Sequence, residues 1–273
     1  MGKELVDKML PVLQVTKWPE STEASELGRK VYYVGLDKVD EYTGNPKTLT
    51  AALRTFLSGE SRPFAYAGVA YTVVKASREP NGSYDQNGLE AALEWLEKAQ
   101  ELAPDLIEIN MIEAFIYIYG DRLEDARIIL DYLEDLNPSD YHVLIAEAEY
   151  WAQQDKQDET IHWLNKAILA ADTVPRKLRL RAKVGDVYLA SGQNNRAIEI
   201  YKEAVHFAKE NPTLWHRLSI AYWRLEDFDE AERCNQRALS IRDDYPEALK
   251  LKESIDERKR DTGSLRSRLL GWS

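Results

Sequence analysis

Apolar residues recur along this chain at spacings of three and four, which winds them onto one face of a helix and leaves charged residues on the other. The stretch "WHRLSIAYWRLEDFDEAERCNQRAL" over 215–239 adds a second regularity, one of size. Trp215, Leu218, Tyr222 and Phe228 are bulky, whereas Ser219, Ala231 and Ala238 are small. A shift of 34 residues places Trp215, Leu218, Ser219, Tyr222, Ala231 and Ala238 on Arg181, Val184, Gly185, Tyr188, Ala197 and Ala204, so small falls on small and aromatic on aromatic. An amphipathic helix alone requires no such longer period. Two helices approach to about 8–10 Å only where the crossing point lacks bulk, and larger neighbours fill the remaining space to crystal-like density. Position in the repeat therefore dictates size.

The same register extends upstream. Units 178–211 and 212–245 abut at Asn211-Pro212, a helix cap followed by proline in the first turn. Units 141–174 and 107–140 carry Ala148, Trp151 and Ala167, then Ala114, Tyr117, Ala126 and Pro138. Thr160 and Leu133 stand where small residues belong, which predicts wider crossings or a shifted register there, and Pro175 to Lys177 read as a three-residue insertion. A fifth unit, 61–106, has Phe64, Gly68, Tyr71, Ala92, Leu96, Ala99 and Pro104, with an inter-helix loop 12 residues longer that contains "REPNGSYDQN".

These positions resemble the tetratricopeptide repeat, a pair of antiparallel helices with small residues at positions 8, 20 and 27 and larger ones at 4, 7, 11 and 24. The resemblance implies an all-α protein, a right-handed α-solenoid of antiparallel helix pairs, over 61–245. Residues 1–60 read either as a helical cap or as a degenerate repeat, with helices in "ASELGRKVYYVGLDKVDEY" and "KTLTAALRTFLSG". Residues 246–260 read as a capping helix that covers the last apolar face. The tail, 261–273, begins with a breaker and interleaves Leu265, Leu269, Leu270 and Trp272 with Arg266 and Arg268, which fits a loose terminus, a docking peptide or a weak membrane-surface contact.

In proteins similar to this one, peptides bind the concave face lined by first helices, at positions 2, 5, 9, 12 and 13, and helical geometry puts those positions on one side. The expected groove is apolar at Met111, Phe115, Ile118 and Tyr119, mixed around Glu149, and basic and aromatic at Arg179, Lys183, Asp186, His216, Arg217, Ile220, Trp223 and Arg224. Arg179, Lys183, His216, Arg217 and Arg224 would hold carboxylates of a bound peptide. Equally, the bases could merely balance an acidic protein and the apolar residues pack against neighbouring helices. The carboxylate-clamp members of the family use a Lys and two Asn residues besides a final Lys and Arg; only that last element has a counterpart here, Arg179 with Lys183.

Composition narrows the function further. The formal net charge is -11, with 14 basic and 24 acidic residues over 1–137 against 22 and 23 over 138–273. That balance disfavours nucleic acid, whose phosphates attract clustered Lys and Arg, and leaves an RNA-binding helical scaffold as the weakest reading. The single cysteine, Cys234, closes no internal disulfide and is expected as a buried thiol, favouring a cytoplasmic protein. No segment is apolar enough for a signal peptide or a membrane span. His142, His162, His206 and His216 have no zinc spacing, and neither a phosphate loop nor a nucleophile elbow is present. We therefore expect no catalytic residue, metal or cofactor, and a partner that is another protein or peptide bearing acidic and apolar side chains. The chain reads as an adaptor or assembly factor, or as a peptide sensor gated by its own tail.

Overall fold

Local sequence starts the helices. Ser25, Asn45, Asp140 and Asn211 each accept a hydrogen bond from a backbone N–H of the first turn, satisfying donors that the helix itself leaves open. A computed structural model describes residue 13 and residues 17–42, 44–79 and 82–269, with side chains as far as 260. Among the described residues there are helices α1 (Glu26–Asp40), α2 (Pro46–Leu57), α3 (Arg62–Ala76), α4 (Gln86–Leu102), α5 (Ile107–Tyr119), α6 (Leu123–Leu136) and α7 (Tyr141–Gln153). They continue as α8 (Gln157–Ala170), α9 (Val174–Ala190), α10 (Asn194–Phe207), α11 (Pro212–Arg224), α12 (Phe228–Ile241) and α13 (Pro246–Leu269). No strand occurs among the described residues, only two isolated bridges, Ser21 with Ser61 and Arg78 with Tyr84.

The helices divide into two units at Asp155, inside the expected 141–174 repeat and between α7 and α8. In the first unit α1 and α2 form a helix pair packed on α3. Phe56 of α2 lies between two glycines: a Cβ added to Gly35 or to Gly68 would sit 2.2 Å from its ring. The small residue at the crossing is thus a requirement of Phe56. The second unit repeats the device on a larger ring, since a Cβ on Gly185 of α9 would lie 2.6 Å from Tyr201 of α10. At the next crossing Ser219 of α11 donates to the carbonyl of Ala231 of α12 at 2.6 Å. The irregular positions are accommodated rather than expelled. Leu133 is fully buried, and Thr160, also buried, donates its hydroxyl to the carbonyl of Lys156 at 2.7 Å.

Two of the segments singled out in the sequence are helical. Pro175 to Lys177 are the first turn of α9, capped by Thr173, because proline is tolerated where the helix makes no N–H bond. Helix α13 runs to Leu269, past the breaker expected after 260; the final residues of the tail, 270–273, lie outside the described residues. The backbone carries its own period. Asp121, Asp155, Gly192 and Glu226 all have positive φ, between 56° and 74°. Each occupies the same place in the turn between first and second helix. In three of these turns the following N–H, of Arg122, Gln193 or Asp227, bonds back to the carbonyl of Tyr117, Tyr188 or Tyr222 at 2.8–3.1 Å, as in a Schellman helix end.

Candidate functional site

The apolar end of the expected groove is part of the first unit's core. Met111, Phe115, Ile118 and Tyr119 of α5 are all buried, so they are not a surface that a partner can grip. The reason lies in segments whose role sequence reading missed. The long loop after α3 folds back, with Asp85 N–H donating to the Ser77 carbonyl at 2.9 Å, and lays Tyr84 flat on Tyr119 with ring centroids 4.0 Å apart. Tyr71 of α3 adds a ring 5.8 Å from Phe115. From α1, Tyr33 stacks on His142 of α7 at 5.1 Å and donates its hydroxyl to Glu108 of α5, which Arg29 also pairs at 2.9 Å. Burial, then the charge of Glu108, holds the Tyr33 phenol far above its usual pKa, so it stays a donor. Glu149 is half-buried, and its charge adds to burial in raising the phenols of Tyr71 and Tyr119. A tyrosine inside an Asn- and Gly-rich loop was the one available hint of this cover.

In the second unit the same helix face stays accessible. Arg179, Lys183 and Asp186 of α9, and Arg217, Ile220 and Trp223 of α11, are half-exposed, and Arg224 is exposed. The charges are organised rather than loose. Arg217 reaches from α11 to Asp186 of α9 at 3.1 Å, and the other Asp186 oxygen accepts the Tyr201 hydroxyl at 2.6 Å. Burial first, then the Asp186 charge, raises the Tyr201 phenol and keeps it protonated as a donor. Arg224 caps α9 by donating to the Leu189 carbonyl. These groups form one strip of paired charge beside Trp223 and Ile220. His216 does not join it: it is buried against Tyr245, with ring centroids 5.1 Å apart, and desolvation lowers its pKa, so it is no cation for a carboxylate. Cys234 is a buried free thiol whose pKa burial pushes up to about 11, far from a reactive thiolate. Among the described residues no group of His, Cys, Asp or Glu is arranged to hold a metal ion, and no helix is long and apolar enough to cross a membrane.

Comparison with known proteins places this geometry. No curated protein matches the sequence. Residues 188–255 match the profile of the family described as tetratricopeptide repeat. Among solved structures, the chain is similar to the Cut9–Hcn1 hetero-tetramer of APC/C at 14% identity and a TM-score of 0.58, covering 84% of this chain and 46% of that one. PilF of Pseudomonas aeruginosa aligns at 16% identity and 0.53, covering 77% and 93%. A thermophilic repeat protein of Thermus thermophilus aligns at 19% identity and 0.49, covering 63% and 90%. Proteins of this repeat class generally mediate protein–protein interactions and are generally non-catalytic. Residues 188–255 are similar to tetratricopeptide repeat sequence, and the chain is a helical-repeat protein.

Proposed function

We propose that this chain is a non-catalytic adaptor or assembly factor that holds a segment of another protein on the α9–α11 face of its second unit, and that it works in the cytoplasm. One observation carries the reading: this face keeps Arg217, Asp186, Ile220 and Trp223 half-exposed, whereas the matching face of α5 is filled by the chain's own tyrosines. A half-exposed ion pair contributes little to stability, on the order of 0–1 kcal/mol, so its partners can be re-paired at small cost. An arriving carboxylate takes the Arg217 guanidinium in a charge-assisted hydrogen bond, while Tyr201 continues to satisfy Asp186. Ile220 and Trp223 supply apolar contact beside it. The bound segment therefore has an acidic side chain next to a large apolar one.

Affinity capture with wild type and with an Arg217→Glu, Trp223→Ala double variant tests this. The proposal expects the principal partner to be lost from the variant, with its circular dichroism unchanged. Recovery of the same partners in the same amounts contradicts it.

A further inference from the structure

Two surfaces are unexplained by that face, and they complement each other. The first is on α6. Ile128, Tyr132 and Leu136, four residues apart, are 70%, 47% and 50% exposed and form an apolar stripe along the helix. Exposed carboxylates interleave it, from Glu124, Asp131 and Asp135, of which Asp131 is paired with Arg127 at 2.6 Å. Contiguous exposed apolar patches on protein surfaces mark interaction sites.

The second surface is a cleft of about 330 Å³ between α10, α12 and the start of α11. Its apolar floor is Val205 and the half-exposed Trp215, whose indole N–H is fixed by the Lys209 carbonyl at 2.8 Å. Its rim is basic, formed by Lys202, His206, Lys209 and Arg237. The carboxylates nearby are engaged elsewhere or weakly held. Glu203 pairs with Arg181, and Glu210 meets Arg237 at 2.6 Å in a largely exposed pair that a competing carboxylate can replace. Lys202 lies over the Tyr222 ring, 5.4 Å from its centroid.

We propose that the occupant of the cleft is the α6 stripe of a second copy of this chain. An apolar side chain of the stripe rests on Trp215 and Val205, while Glu124 and Asp135 face Lys202, Lys209 and Arg237. The observation behind this is that one sequence displays an acidic apolar ridge and a basic apolar cleft, complementary in charge and built from residues other than those of the α9–α11 face. Because the two surfaces differ, the contact is head to tail, and each added copy presents one further cleft and one further ridge. Association of this kind rises with protein concentration and weakens with salt, since its charged rim is exposed. It uses neither Arg217 nor Trp223, so it is separable from partner binding on α9–α11.

Sedimentation velocity of the full chain over a range of concentrations tests the proposal with two surface variants. Lys202→Glu with Arg237→Glu makes both surfaces acidic, and Glu124→Lys with Asp135→Lys makes both basic. Wild type is expected to sediment faster as concentration rises, each variant alone to remain monomeric, and an equimolar mixture of the two to associate again. Circular dichroism verifies the fold of each variant, and if one fails to fold, Ile128→Asp alone is expected to abolish association. A wild type that stays monomeric at every concentration, variants that associate as wild type does, or a mixture that does not recombine overturns it.

Discussion

Arg127 of α6 holds Glu147 of α7 through both terminal guanidinium nitrogens, at 2.6 and 3.0 Å, and Glu147 is completely buried. Glu147 occupies the repeat position where a large apolar residue is usual, so the pair replaces a packing contact between successive helix pairs with an ionic one. A buried pair of this kind adds little net stability over an apolar pair, but removing one partner strands a charge. Arg127→Met is therefore expected to destabilise the first unit by about 3–5 kcal/mol, and Arg127→Met with Glu147→Leu to recover most of that loss. Urea denaturation of the two variants and wild type measures it. A single variant within about 0.5 kcal/mol of wild type contradicts the assignment.

Glu226 and Gly192 take the same left-handed turn conformation, with φ of 62° and 74°. A side chain at that conformation costs about 1–2 kcal/mol that glycine does not incur, partly offset by glycine's greater freedom in the unfolded chain. Glu226→Gly should stabilise the second unit by roughly 1 kcal/mol, and Gly192→Ala should destabilise it by about the same. Opposite shifts in thermal midpoint are the expected readout.

The contrast between those two residues shows what the sequence could reveal. The period of 34 was legible from side-chain size because Gly185, Ser219, Ala197 and Ala231 sit at crossings where bulk is forbidden, as Tyr201 against Gly185 demonstrates. The turn was legible only at Gly192; Asp121, Asp155 and Glu226 adopt the same backbone with no residue that announces it. For the site, the strip on α9 and α11 followed from helical geometry, with Arg217 and Asp186 brought together as that face required. The burial of Phe115 and Tyr119 did not follow. It depends on Tyr71 and Tyr84, which come from α3 and a lengthened loop, and no periodicity encodes such long-range cover. His216 was read as a cation because its helix position was right; burial against Tyr245 decides its charge instead.

His216 also gives stability a pH dependence. Its folded pKa lies below the ordinary value of 6.5 because burial disfavours the imidazolium. Between the two values the unfolded chain binds a proton that the folded one excludes, so stability falls as pH drops below about 6.5 and the loss ends near the folded pKa. Urea midpoints for the second unit are expected to decrease from about pH 7 to pH 5, and His216→Gln to flatten that slope. An equal slope in the variant assigns the effect to other groups.

Partner engagement on the α9–α11 face is tested most directly by placing a photo-crosslinking amino acid at Ile220, on that face, and separately at Gln236, an exposed position on α12. Both proteins are then irradiated in cells at matched expression. The account predicts one discrete crosslinked partner from position 220, absent from position 236 and abolished when Arg217→Glu is added. Crosslinks of equal yield and identity from the two positions, or a product at 220 that survives Arg217→Glu undiminished, would contradict it.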